Sequence, residues 1–150
     1  MEGVFFVSSV VFSVEAHSEN PTKTVVKARE FTITIDEPTN LGGTNAGPNP
    51  VEYVLGALAG CLNVVGHIVA KELKFELRGI KFELAGDLDP SKFSGRKTNK
   101  RAGYEEIRVI VTPDADADSE TLAQWIAAME ERCPVSDNLQ HPTPVKLFLK

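Results

Sequence analysis

The chain has two cysteines, Cys61 and Cys133, and they are its best candidates for chemistry beyond acid–base exchange. The reacting form of a cysteine is the thiolate. At an ordinary pKa near 8.5 only roughly 3% is ionised at pH 7, whereas a pKa of about 6 would ionise roughly nine tenths, a differential stabilisation of about 3.4 kcal/mol. Burial works against this, because desolvation disfavours the charged form. A reactive cysteine in an apolar setting therefore needs a cation or several hydrogen-bond donors facing it.

Cys61 lies in the apolar stretch Val54 to Leu62, which has no other polar side chain. In a Gly/Ala/Leu helix such a cysteine reads either as a small core residue or as a nucleophile. Cys133 precedes Pro134, which disfavours helical geometry at the residue before it and suits the first turn of a helix after it. The spacing places Cys133 between one helix ending near Arg132 and a short turn through Val135 to Leu139. There, backbone N–H groups and the helix dipole would stabilise a thiolate.

The elements that must hold these residues follow from periodicity. Asn49 suits an N-cap and Pro50 the first helical position, while Glu52, three residues past the cap, can return a bond to the cap backbone. The helix opened there runs to about Glu72, on the order of 35 Å. It is apolar on every side, which calls for burial all round and for a cover larger than one small sheet. Gly56, Ala57, Ala59 and Gly60 would admit another helix closely, and a second copy of the chain is the obvious partner. Before this helix, Val10, Phe12 and Val14 alternate, as do Phe31, Ile33 and Ile35 with polar Thr32, Thr34 and Asp36 between. This predicts strands with one buried face, and a strand over Val25 to Arg29 leads into the second pattern.

After the helix, Ile80, Phe82 and Leu84 and then Ile107, Val109 and Val111 predict a long hairpin. Leu122, Trp125, Ile126 and Met129 predict an amphipathic helix capped by Asp118 or Ser119. Alternating Val145, Leu147 and Leu149 predict a closing strand. The expected layout is one domain over residues 1–150: a β region over 1–48, the cysteine helix over about 50–72, the hairpin over about 77–112, the second helix over about 119–132, and a turn and strand over 133–150. The fold class is α+β.

Composition narrows the function. A chain of 150 residues with 42% hydrophobic and 25% charged content is ordinary for one globular domain. A net charge of -5 argues against nucleic-acid binding, which rests on cations neutralising phosphates. The local exception is the run holding Lys92, Arg96, Lys97, Lys100 and Arg101, readable as a solvated hairpin loop or as a site for anionic ligands or RNA. The stretch Val4 to Val14 lacks a basic lead and a cleavage pattern, so no secretory signal is expected. Val51 to Ala70 carries Glu52, Asn63 and His67, and no membrane span is expected. Two cysteines in an expected reducing, cytoplasmic setting favour redox or inert thiols over a permanent bridge. His17, His67 and His141 lack zinc spacing with either cysteine, so no metal is expected, and no Gly-rich loop opens a nucleotide site.

The segments Pro48-Asn49-Pro50-Val51-Glu52-Tyr53 and Ala57-Leu58-Ala59-Gly60-Cys61 resemble the helix that carries the first cysteine in OsmC/Ohr proteins. Asp36-Glu37-Pro38, Leu41-Gly42-Gly43-Thr44 and Cys133-Pro134-Val135-Ser136 are similar to that family too, in the same order. The resemblance implies an intertwined homodimer with antiparallel sheets around two central buried helices. It implies reduction of organic hydroperoxides without a cofactor: Cys61 attacks the peroxide, becomes a sulfenic acid and condenses with Cys133, and a dithiol reductant, lipoyl-type or thioredoxin-like, reopens the disulfide. The same fold without peroxide chemistry, a binding or stress-associated protein, is the alternative.

Two positions depart from the family's pattern. A glutamate ten residues before the first cysteine usually holds an arginine against the thiolate; that position is Val51 here. Glu52 is nine residues before Cys61, on the opposite side of an ideal helix, and serves equally as a cap. The arginine's position falls near Asn20, and Arg29 is the nearest substitute. Arg29 and Glu52 thus complete the candidate site with Cys61 and Cys133.

Overall fold

The computed structural model describes residues 9–150. Two compact units meet inside one continuous helix, the first ending at Tyr53 and the second beginning at Val54. Together their elements make a mixed α+β fold with antiparallel sheets and three α-helices.

The first unit holds the antiparallel strands β1 (Glu15–Ser18), β2 (Thr24–Ala28) and β3 (Phe31–Ile35), in that order across the sheet. Asn20 shapes the β1–β2 turn: its Oδ1 accepts from the Thr22 N–H at 3.0 Å and the Lys23 N–H at 2.8 Å. This is the usual competition of an Asn side chain for nearby backbone donors. Arg29 and Glu30 alone join β2 to β3, since Ala28 pairs with Phe31. A two-residue hairpin turn needs positive φ at its start, and Arg29 supplies φ 55. The predicted strand through Arg29 therefore stops one residue earlier.

The strand predicted from Val10, Phe12 and Val14 does not form over residues 9–14, which are exposed. Glu15 already pairs with Lys27 near the end of β2, so residues before it would face the β2–β3 turn, where no ladder is available. The earlier part of the Val4 to Val14 run lies outside the described residues.

Asp36 is a second correction, because its place in the alternation predicts the polar face, yet its exposure is 0%. Its carboxylate accepts the N–H groups of Glu37 (2.8 Å), Thr44 (3.1 Å) and Ala46 (3.1 Å), together with the Thr44 hydroxyl. A buried anion surrounded by donors is tolerated because each lone pair is used. The Thr44 hydroxyl and the backbone donors outweigh desolvation and hold the carboxyl well below its usual range. The loop to the helix is thereby wound around one side chain. Gly43 fits where a Cβ would lie 1.9 Å from the Glu37 carbonyl oxygen.

The helix α1 (Pro50–Glu72) begins with the reciprocal cap expected from its sequence. The Glu52 N–H donates to Asn49 Oδ1 at 2.9 Å, and the Asn49 N–H donates to Glu52 Oε2 at 2.8 Å. By length and composition α1 could cross a bilayer. Its buried residues, Leu58, Leu62, Val65, Val69 and Ala70, instead join the protein's own core, and its other face carries Asn63, His67 and Lys71. The expected all-round burial is not met within one chain: Val64 and Ile68 stay exposed, and so do Gly56 and Gly60.

In the second unit, β4 (Leu77–Leu88) and β5 (Tyr104–Ala115) form the long hairpin. Its register pairs Phe82 with Val111 and Leu84 with Val109, so the predicted apolar faces coincide and pack on the core. Asp118 caps α2 (Ser119–Arg132) by accepting from the Thr121 N–H at 2.8 Å. Trp125 and Met129 from α2 are fully buried, whereas Ile126 lies at the margin. A short α3 (Pro134–Gln140) follows at once. The closing strand predicted from Val145, Leu147 and Leu149 is absent; these side chains are exposed. Alternation makes a strand only where a neighbouring strand pairs with it, and β4 and β5 pair only with each other.

Candidate redox site

Cys61 and Cys133 come together in the second unit. Both are free thiols, Cys61 half-buried on α1 and Cys133 fully buried at the junction of α2 and α3. Cys61 packs against the core cluster that contains Cys133, near enough for each thiol to perturb the ionisation of the other. Mutual approach of two sulfurs, one on the middle of a helix and the other at a helix boundary, is what oxidation to a disulfide requires.

The local sequence explains the placement. Pro134 ends α2, and Cys133 closes one helix and caps the next, with extended backbone at φ -80, ψ 112. Its Sγ accepts the Ser136 N–H at 3.4 Å. The predicted helix-start setting is therefore present, but the predicted gain in thiolate character is not. Burial, and after it the neighbouring Cys61 thiol, pushes the Cys133 thiol up, outweighing the Ser136 N–H.

Three contacts set α2 on α1 around this pair. The Trp125 indole N–H donates to the Gly66 carbonyl at 2.8 Å, and the Phe75 ring meets the indole edge-on with centroids 6.1 Å apart. A Cβ on Gly66 would lie 2.9 Å from Ile80 Cδ1 and 3.3 Å from Met129 Sδ, so the glycine allows the close approach. At the helix end, the Arg132 guanidinium grips both Glu72 carboxylate oxygens, at 2.5 and 3.1 Å. Sequence reasoning missed Gly66, Glu72 and Arg132. The only sequence signal was a small residue at a core-facing helical position and an acid–base pair far apart in the chain.

The other two candidates are occupied elsewhere. Glu52 is half of the helix cap. Arg29 sits at the hairpin turn, its side chain 76% exposed, 4.0 Å from Glu30 and stacked over Phe31 at 5.0 Å. It lines a shallow depression with Ser13, Val14, Glu15 and Lys27. Among the described residues no cluster of His, Cys, Asp and Glu could hold a metal ion.

The family model for OsmC-like proteins matches residues 43–148. The chain belongs to the OsmC-like family. Solved structures of the same fold accompany that match. An OsmC-like protein from Mycoplasma pneumoniae is 19% identical, with 89% of each chain covered and a TM-score of 0.77. An organic hydroperoxide resistance protein OsmC from Legionella pneumophila is 18% identical, covering 89% of this chain and 91% of that one, with a TM-score of 0.66. One from Elizabethkingia anophelis, named an organic hydroperoxide resistance protein, is 15% identical over 87% of this chain and 89% of that one, at 0.62. No curated protein matches the sequence significantly. For this OsmC-like chain the family match spans both cysteines, and the neighbours establish its fold.

Proposed function

We propose that this OsmC-like protein is a cytoplasmic thiol peroxidase that reduces organic hydroperoxides and works as a homodimer. The observation that carries the proposal is the pair of neighbouring free thiols, Cys61 on α1 and Cys133 at the junction of α2 and α3, within one unit.

The half-buried Cys61 is the attacking group. Its thiolate sulfur forms a bond to the terminal peroxide oxygen, the O–O bond breaks, and the released alkoxide takes a proton to leave as an alcohol. Cys61 is then a sulfenic acid. Cys133 attacks that sulfur, water leaves, and the disulfide forms. A dithiol reductant, lipoyl-type or thioredoxin-like, returns two thiols and becomes a disulfide itself. In this scheme Glu52 acts as the helix cap.

A second reading, an OsmC-like binding or stress-associated protein without peroxide chemistry, is favoured by one observation. Arg29 and Glu52, the expected activating pair, are each held by other partners. The two readings separate in stopped flow with cumene hydroperoxide and a dihydrolipoyl reductant. Oxidation of Cys61 well above the rate of a free thiol, followed by turnover, is the expected result. A rate no better than free cysteine would replace the peroxidase with the second reading.

A further inference from the structure

The loop joining β4 to β5, residues 89–103, has no part in the cysteine chemistry. Its five cations, Lys92, Arg96, Lys97, Lys100 and Arg101, face one carboxylate, Asp89, giving a charge of +4; a chain of net charge -5 therefore carries -9 elsewhere. So sharp an asymmetry is an electrostatic footprint in itself.

The loop is built, not loose. The Arg96 N–H donates to the Ser91 carbonyl at 2.9 Å and the Gly95 N–H to the Lys92 carbonyl at 3.1 Å, with Gly95 left-handed at φ 75. That is a Schellman closure of one helical turn. The Ser91 N–H also donates to Asp89 Oδ1 at 2.9 Å. The turn holds Phe93 out into solvent at 84% exposure, and Lys92, Arg96, Lys97 and Arg101 of the same loop are exposed too.

Nearby acids are already matched. Asp87 and Glu106 share Arg108, and Glu105 pairs with Lys100 at 3.2 Å. Asp89 is held low by the Ser91 donors and by the nearby Lys100 and Arg96, while Lys92, Lys97 and Arg101 form no described ion pair.

We infer that this turn docks the protein on an anionic lipid bilayer, with Phe93 entering the headgroup boundary and Lys92, Arg96, Lys97 and Arg101 meeting lipid phosphates. An exposed aromatic in a loop rich in exposed cations is the amphipathic combination that such an interface receives, and each cation near an anionic leaflet is worth about fivefold in partition. Other occupants fit less well. A stable protein interface buries roughly 800 Å² per partner, more than one turn presents. Single-stranded nucleic acid needs successive stacking platforms, and the neighbouring aromatic, Tyr104, lies against Gly86 instead. At physiological salt the acidic remainder is screened beyond about 8 Å, so the loop can approach a negative surface that repels the rest. The sequence alone led to the opposite expectation, of no membrane partner.

The test is co-sedimentation of the full chain with phosphatidylcholine vesicles and with vesicles containing about half phosphatidylglycerol. Binding to the anionic vesicles only, weakening as salt rises, is expected. Neutralising Lys92, Arg96 and Lys97 together to Gln should lower the partition by at least about tenfold, and Phe93→Ser should lower it measurably, with unchanged melting temperatures. No binding, equal binding to neutral vesicles, or full binding by the variants would overturn the inference. So would tighter binding to a single-stranded oligonucleotide than to vesicles. Cumene hydroperoxide turnover in solution, measured beside it, reports on the cysteine reading separately, because the loop lies outside that chemistry.

Discussion

Trp125 on α2 reaches across to α1 and donates its only polar hydrogen to the carbonyl of Gly66, at 2.8 Å, with no exposed surface of its own. The bond satisfies an indole N–H that burial would otherwise leave costly, and it fixes the helix whose end carries Cys133. Trp125→Phe keeps most of the apolar volume but removes the bond and opens a small void. A loss of about 1–3 kcal/mol in urea unfolding is expected. An unchanged midpoint would mean that the contact contributes nothing.

Asp36 predicts a pH dependence. Its folded-state pKa is depressed, chiefly by the Thr44 hydroxyl, so its contribution is complete above the unfolded value and disappears as pH falls through the folded one. The melting temperature of the wild type should therefore decline below about pH 4. Asp36→Asn places an amide N–H₂ among donors, and should melt on the order of 5 °C or more lower at pH 7 with less further loss in acid. Parallel pH curves for the two proteins would contradict this role.

The legible parts of the sequence were those whose physics is local. Asn49 and Glu52 gave the helix start because a capping box lies within four residues, and Pro134 gave the boundary at Cys133. The hairpin followed from alternation that the register of Phe82 with Val111 bears out. What failed depended on partners distant in the chain. Asp36 reads as one more polar residue in an alternating strand, and only the loop returning with Thr44 and Ala46 makes its burial tolerable. Val10 to Val14 and Val145 to Leu149 have strand composition, but a strand also needs a neighbour in register, and alternation names no such partner. For Cys133, proximity to a helix start was visible, and the desolvation that outweighs it was not.

The exposed face of α1 leads to a prediction about assembly. Val64 and Ile68 are 58% and 46% exposed beside Gly56 and Gly60, whose added Cβ atoms would meet nothing. A face of this kind on a central helix is expected to pair with a second copy, which could also offer a pairing strand to Val145, Leu147 and Leu149. Sedimentation should give twice the 16.3 kDa chain mass, and Ile68→Glu should shift it toward the monomer. A monodisperse wild-type monomer at micromolar concentration would remove the dimer from the proposal.

The order of the two thiols makes the last prediction. Cys61 is the more accessible of the pair, and Cys133 is buried with its thiol pushed up, so the second step, not the first, should wait on deprotonation of Cys133. After a pulse of cumene hydroperoxide, disulfide formation should accelerate by about tenfold per pH unit between roughly pH 6 and 8, since thiolate concentration rises that steeply below a thiol's pKa. Cys133→Ser should consume about one equivalent of peroxide and stall as a sulfenic acid trapped by dimedone. Cys61→Ser should lose turnover entirely. Mass spectrometry of the wild type should find an intramolecular bridge between the two. If Cys61→Ser retains turnover, or if peroxide leaves no such bridge in the wild type, the assignment of attacking and resolving thiols is wrong.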